Sequence, residues 1–331
     1  MLSNLKPKEA VQTCILSTRW KNLWKSLTVF SIGSSHFKTF KGFTRFVNRY
    51  LAIRDDETAL HALKLYHDGD MKRRLLEKIF RYAVSHNVQQ LDISVTCRIQ
   101  QYPPRNISCH TLTSLNLSVN TEIGRQIPIF PNSLKFPALT NLCLSYFYFR
   151  GTGDDRCVEP FSEFKNLNSL VIHFCKVIDA ESLFISSATL VNLRVTTFTH
   201  FSHKLELCTP NLCSFAFKGN PLQKLCRSNS HLSSIKHVCI DVLVWSKVKN
   251  HPLVLLNWLV ELAHMESLTV SSATLKVLSL VPDLHKVDFP YLCNLKSLKV
   301  NTFRRSSIPS GIIDVFRKNA PSVEVYTNII H

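Results

Sequence analysis

From about residue 60 onward, apolar positions recur in the order apolar-x-x-apolar-x-apolar, mostly as leucine. The pattern reads LHALKL (Leu60, Leu63, Leu65), VQQLDI (Val88, Leu91, Ile93), LTSLNL (Leu112, Leu115, Leu117) and LTNLCL (Leu139, Leu142, Leu144). It goes on through LNSLVI, LVNLRV, LCSFAF, IKHVCI, MESLTV and LKSLKV to APSVEV near the C-terminus. The middle residues fall at 63, 91, 115, 142, 170, 193, 215, 238, 268, 298 and 323, in steps of 22 to 30 residues. That is close to the period of leucine-rich repeats. The alternating end of each motif predicts a short strand with one buried face, and the leading residue enters the core from the preceding turn. A strand this short cannot bury its face alone, so neighbours stack into a parallel sheet backed by helices. The third position after the last apolar residue is Asn120, Cys175, Asn220 and Asn328 in some repeats but Phe147, Phe198 and Leu243 in others, which marks the repeats as degenerate.

Two stretches carry the 3.6-residue period of amphipathic helices instead. One aligns Phe37, Phe40, Phe43, Val47, Tyr50 and Leu51. The other aligns Leu75, Leu76, Ile79, Phe80 and Ala83, with Asp70 as its expected N-cap. Both aromatic-aliphatic stripes read as core. PLVLLNWLVELA (Pro252 to Ala263) is too short to cross a membrane and contains Asn257 and Glu261, so it reads as a buried helix. GTGDDRCVEP (Gly151 to Pro160) reads as a solvated loop rather than a cation site on Asp154 and Asp155.

Composition narrows the chemistry. The 331 residues are 45% hydrophobic and 19% charged, enough for a large core. Only 8 glycines occur, without a phosphate-loop or dinucleotide fingerprint. The 11 cysteines form no CxxC pair, which argues against zinc and for small buried thiols in a reduced compartment, cytosol or nucleus. Lys6, Pro7 and Lys8 interrupt any secretory apolar run. No nucleophile–base pair, paired carboxylates or histidine cluster stands out by spacing, so no enzymatic activity and no cofactor is expected. The net charge is +17, with nine Lys/Arg against Glu9 alone in residues 1–50. Attraction to anionic partners follows, but nucleic-acid binding has only the charge behind it.

The N-terminal stretch LKPKEAVQTCILSTRWKNLWKSL places Leu5, Pro7, Glu9, Ala10, Val11, Ile15, Leu16, Ser17, Arg19, Trp20, Leu23, Trp24 and Leu27 in a distinctive order. It resembles the second half of the F-box of plant F-box proteins, and its continuation resembles the F-box/RNI-like, FBD-type family with C-terminal leucine-rich repeats. The family's box begins with a Leu-Pro helix further upstream, so the resemblance implies an F-box whose N-terminal part is missing here. It further implies a partial helical F-box over 1–33 and a repeat domain over 34–331. The implied role is substrate recognition in a Skp-cullin-F-box ubiquitin ligase. Leu5, Pro7, Val11, Ile15, Leu16, Trp20, Leu23 and Trp24 would meet a Skp-family adaptor. The outward side chains of the strands, Asn116, His173, Arg194, Lys218, His237, Asp241, Thr269, Lys299 and Asn301, would meet an unknown protein target on the open, concave face. The competing reading is a repeat scaffold without a ligase role, its N-terminal remnant capping the array.

Overall fold

In the computed structural model, residues 23–54, 58–120, 127–151, 156–197, 204–220, 225, 232–243, 251–281, 289–303 and 308–330 are described. The chain divides into two compact units. Unit 1 is Met1–Phe149 with Glu163–Asn166, and unit 2 is Arg150–Ser162 with Leu167–His331.

Unit 1 opens with a 3-10 turn, Leu23–Ser26, followed by β1 (Val29–Gly33), α1 (Phe40–Ile53), β2 (Ala62–Met71), α2 (Arg73–Ser85), β3 (Gln90–Cys97), β4 (Ser114–Asn120), β5 (Asn141–Ser145) and most of β6 (Tyr148–Arg150). Strands β1 to β5 lie side by side in sequence order, all parallel. In unit 2 come β7 (Cys157–Val158), β8 (Ser169–His173), β9 (Lys176–Ile178), β10 (Ser182–Ser186), β11 (Asn192–Thr196), β12 (Lys204–Cys208), β13 (Ser214–Gly219) and β14 (His237–Val242). Then follow α3 (His251–Glu261), β15 (Ser267–Ser271), α4 (Ser272–Leu278), β16 (Ser297–Phe303), α5 (Ile312–Asn319) and β17 (Glu324–Ile330). The main parallel sheet of unit 2 runs β8-β11-β13-β14-β15-β16-β17.

The register matches the leucine pattern. Leu63, Leu91, Leu115 and Leu142 lie opposite one another in unit 1, as do Leu170, Leu193, Phe215, Val238, Leu268 and Leu298 in unit 2. Each is at most 3% exposed. At about 1.5–3 kcal/mol per buried aliphatic side chain, these rows are the main drive for stacking. The leading residue closes a four-residue turn by donating its N–H to the carbonyl three back: Leu139 to Phe136, Leu212 to Thr209, Ile235 to Leu232, Leu295 to Leu292. Pro137 and Pro210 stand second in their turns, where a fixed φ suits them. One carbonyl ahead of each strand then takes two N–H groups of the next repeat. Gln89 O accepts from Thr113 and Ser114, and Lys236 O from Glu266 and Ser267.

Asparagine does link repeats, but from the turn. Asn166 Nδ2 donates to Pro137 O at 2.8 Å, and Asn211 Nδ2 to Ala188 O at 2.7 Å. The position expected to hold the ladder is instead a buried corner just after the strand at Phe147, Cys175 and Asn220, whereas Asn120 still ends β4 and is exposed.

The last repeat corrects the reading of APSVEV. Val325, not Val323, lies opposite Leu298. Val323 closes the turn to Ala320 O, so this motif has one residue fewer between turn and strand, a deletion invisible to periodicity. The array also starts earlier than expected. Phe30 and Ile32 of β1 lie opposite Leu63 and Leu65, inside the segment read as F-box remnant.

The helices follow their stripes. α1 buries Phe43, Val47, Tyr50 and Leu51, and Thr39 Oγ1 caps it by accepting from Gly42 N at 3.1 Å. α2 buries Leu75, Leu76, Ile79, Phe80 and Ala83. Asp70 does not cap α2, because β2 runs on through a register shift to the buried Met71 and puts Asp70 beside Arg98 at 3.3 Å. α3 is the buried helix expected over 252–263; its Trp258 packs on Phe215 and Phe217, with ring centroids 6.0 and 4.8 Å away. Not every repeat is backed by a helix. Between β8 and β13 the steps are only 23 and 22 residues, and short strands β7, β10 and β12 form a second parallel sheet instead. Asp154 and Asp155 lie outside the described residues.

Candidate functional site

The stretch expected to meet an adaptor is described only at its C-terminal end. Leu5, Pro7, Val11, Ile15, Leu16 and Trp20 lie outside the described residues, and Leu23 begins the 3-10 turn. Trp24 is 7% exposed, and its ring centroid stands 5.1 Å from that of Tyr50 on α1. Tyr50 in turn stacks on Phe30 at 4.3 Å and donates its hydroxyl to Trp24 O at 3.4 Å. Burial holds the Tyr50 phenol well above its ordinary range, against the pull of Arg54. Leu27 is buried as well.

The second region is the outward face of each sheet, set by the period of two along every strand. In unit 1 this face holds Lys64, Asp92, Asn116 and Cys143 in one register row, with Tyr66 one row further. Asp92 is the hub: Tyr66 Oη donates to Oδ2 at 2.6 Å and Asn116 Nδ2 to Oδ1 at 3.0 Å. Burial and then the Asp92 hydrogen bond and charge push the Tyr66 phenol up to about 12. Burial pushes the Cys143 thiol up to about 11, so it stays protonated near neutrality.

In unit 2 one outward row reads Val171, Arg194, Ala216, Cys239, Thr269 and Lys299. The next brings together His173, Thr196, Lys218 and Asp241, and further along Ser271 and Asn301. His237 stands in the row at the strand entries, opposite Ser214 and Ser267. Arg194, Lys218, His237 and Lys299 are exposed; His173, Asp241, Thr269 and Asn301 are half-buried. His173 Nδ1 lies 3.0 Å from Thr196 Oγ1. Burial, with help from the Arg194 charge, holds the His173 imidazole below its ordinary value. Burial also raises the Cys239 thiol. At the strand entries Glu266 sits between Lys296 at 2.9 Å and Lys236 at 3.5 Å, and the Lys296 hydrogen bond and charge, then Lys236, pull its carboxyl below the usual range.

Eight of the nine residues expected to meet a target thus share the outward face of unit 2; Asn116 belongs to unit 1. Periodicity missed Asp92, Tyr66 and Glu266, although each lies at an outward or flanking position of a recognised motif. The unit 2 face offers cations, imidazoles and hydroxyls over small residues. It suits recognition of an anionic surface. Among the described residues, no group of three His, Cys, Asp or Glu side chains could hold a metal ion, and no helix is long and apolar enough to cross a membrane.

One strand per leucine-rich turn, stacked in parallel with a dry inner row and a polar outer row, defines a leucine-rich-repeat-type array in each unit. No family model matches the chain. An F-box/FBD/LRR-repeat protein of Arabidopsis thaliana is 26% identical to it over 98% of this chain and 73% of the relative. An FBD-associated F-box protein of the same plant is 24% identical over 100% of this chain and 70% of the relative. Along nearly its whole length the chain is a relative of plant F-box/LRR-repeat proteins.

Proposed function

We propose that this chain is a non-catalytic substrate receptor of a Skp-cullin-F-box ubiquitin ligase, acting in the cytoplasm or nucleus. Leu5, Pro7, Val11, Ile15, Leu16, Trp20 and Leu23 engage a Skp-family adaptor through their apolar side chains. The outward face of unit 2, centred on Arg194 and Lys218, holds an acidic or phosphorylated segment of a protein target. The receptor performs no bond chemistry; it raises the effective concentration of target near the ligase's conjugating enzyme. The observation that carries this reading is the presence of both parts in one chain: a stretch at residues 5–27 that resembles the second half of an F-box, and an array whose outward face is polar and basic. Trp24 acts from behind in this reading, seating the motif on α1 through Tyr50.

The test is co-expression with a Skp-family adaptor and a cullin N-terminal domain, followed by size-exclusion chromatography. A complex containing all three supports the receptor. A second reading, a repeat scaffold without ligase role, is favoured by the burial of Trp24 and Leu27, since the end of the motif serves unit 1 as packing. A chain that elutes without adaptor yet still captures an acidic ligand selects that reading.

A further inference from the structure

Arg54 ends α1 as its C-cap and is 3% exposed. Its guanidinium reaches three main-chain carbonyls on two segments: Nη2 donates to Leu27 O at 3.0 Å and to Ala59 O at 3.4 Å, and Nη1 to Thr58 O at 2.9 Å. Leu27 leads into β1, and Ala59 leads into β2. The guanidinium therefore staples the entries of the first two strands of unit 1. One helical turn earlier, Tyr50 holds Trp24 O and its ring. The carbonyls of Trp24 and Leu27 are thus each reached by a side chain from the C-terminal end of α1, Trp24 O accepting from Leu27 N at 3.4 Å as well.

Burying a guanidinium is a costly way to fill space unless its donors are used. An apolar side chain of similar length would fill the volume but would take this donor away from the carbonyls of Leu27, Thr58 and Ala59. What a guanidinium adds is direction, because its planar fork bonds two segments at once and an ammonium cannot reproduce that geometry. We infer that Arg54 is a positioning residue that locks Leu27, at the C-terminal end of the stretch read as the adaptor motif, to the entries of the first two repeats, so that the orientation of an adaptor bound to that stretch depends on Arg54. The inference rests on the receptor reading for its functional meaning, but the lock itself is a property of the chain alone.

Hydrogen exchange on the full chain tests the lock without any partner. In the parent, residues 24–33 should exchange at a rate similar to 90–97. In Arg54→Met, exchange over 24–33 should rise by about tenfold or more while 114–120 stays within about twofold. Arg54→Lys, the milder change, should show the same pattern to a lesser degree. Faster exchange of 24–33 already in the parent, no change in either variant, or equal acceleration at 114–120 would overturn the lock. A second arm separates positioning from plain stability. In a reconstituted ligase, Arg54→Lys should keep adaptor affinity yet spread self-ubiquitination over more lysines of unit 1 than in the parent. An unchanged lysine pattern would overturn the positioning role. A parent that binds no adaptor would defeat the receptor reading and its positioning consequence together, while exchange still decides whether the lock exists.

Discussion

Lys218 and Asp241 face each other across adjacent strands, with Nζ 2.9 Å from Oδ2. Both side chains are partly in water, so the pair is worth only about 0.2–1 kcal/mol to stability. Its effect on binding is larger in kind: Asp241 neutralises part of the basic face next to Arg194, which has no ion-pair partner among the described residues. For an acidic peptide, Asp241→Asn should tighten binding and Arg194→Glu should weaken it, each by a few-fold, with both effects shrinking in high salt. Fluorescence anisotropy titrations at two salt concentrations check this. Equal affinity across parent and variants would remove the face from target capture.

Gly219 has φ of 148°, and a Cβ there would collide with Thr197 Oγ1. Gly219→Ala should therefore cost about 1–3 kcal/mol by strain and overpacking. Thr197→Ala alone removes a buried hydroxyl that has no hydrogen-bond partner among the described residues, and should be close to neutral. The double variant should recover part of the loss, because the clash loses one side. Urea denaturation of the four proteins reads the coupling directly.

The rows that bind these repeats together were legible because burial imposes a period of two on each strand and a nearly fixed spacing between strands. Four marker residues in unit 1 and six in unit 2 stand in register within their own unit for that reason. Val323 failed because a one-residue deletion between turn and strand leaves an equally apolar pattern. β1 is legible too: Leu27, Phe30 and Ile32 carry the same apolar spacing, next to the more distinctive stretch that resembles an F-box. Asp92 and Arg54 could not be found by any pattern of apolar positions. Their roles depend on which strand lies alongside and which carbonyl ends up within reach.

His67 on β2 stacks on Phe40 and Phe43, at 4.7 and 5.7 Å, and its Nδ1 lies 2.7 Å from Ser34 Oγ. Burial holds its imidazole below the ordinary value, against the pull of Asp68 and Asp70. The unfolded chain therefore takes up the proton first as pH falls. The stability from the neutral ring is full above the unfolded imidazole pKa, about 6.5, and is lost progressively below it. His67→Phe should make the fall in melting temperature between pH 7 and pH 5 smaller than in the parent. His173 has the same sign but remains in both proteins, so the difference isolates His67. Parallel pH profiles would contradict the assignment.

The Tyr66–Asp92 bond can be read optically. Burial is the largest cause of the raised phenol, and the Asp92 hydrogen bond and charge supply the rest. Asp92→Asn should lower the Tyr66 pKa from about 12 part of the way towards its ordinary value of about 10. Ultraviolet titration, differenced against Tyr66→Phe, gives the shift. A phenol that titrates unchanged in Asp92→Asn would show that burial alone raises it.

Capture of a Skp-family adaptor by three forms of the full chain is the most direct test of the receptor and its division of labour. The parent and Arg194→Glu/Lys218→Glu should bind the adaptor with Kd values within about twofold of each other. Ile15→Asp/Trp20→Ala should lose about tenfold or more, at least about 1.4 kcal/mol, while its far-ultraviolet circular dichroism stays that of the parent. Adaptor binding that survives the Ile15/Trp20 change, that fails with the Arg194/Lys218 change, or that is absent from the parent would contradict the receptor assignment.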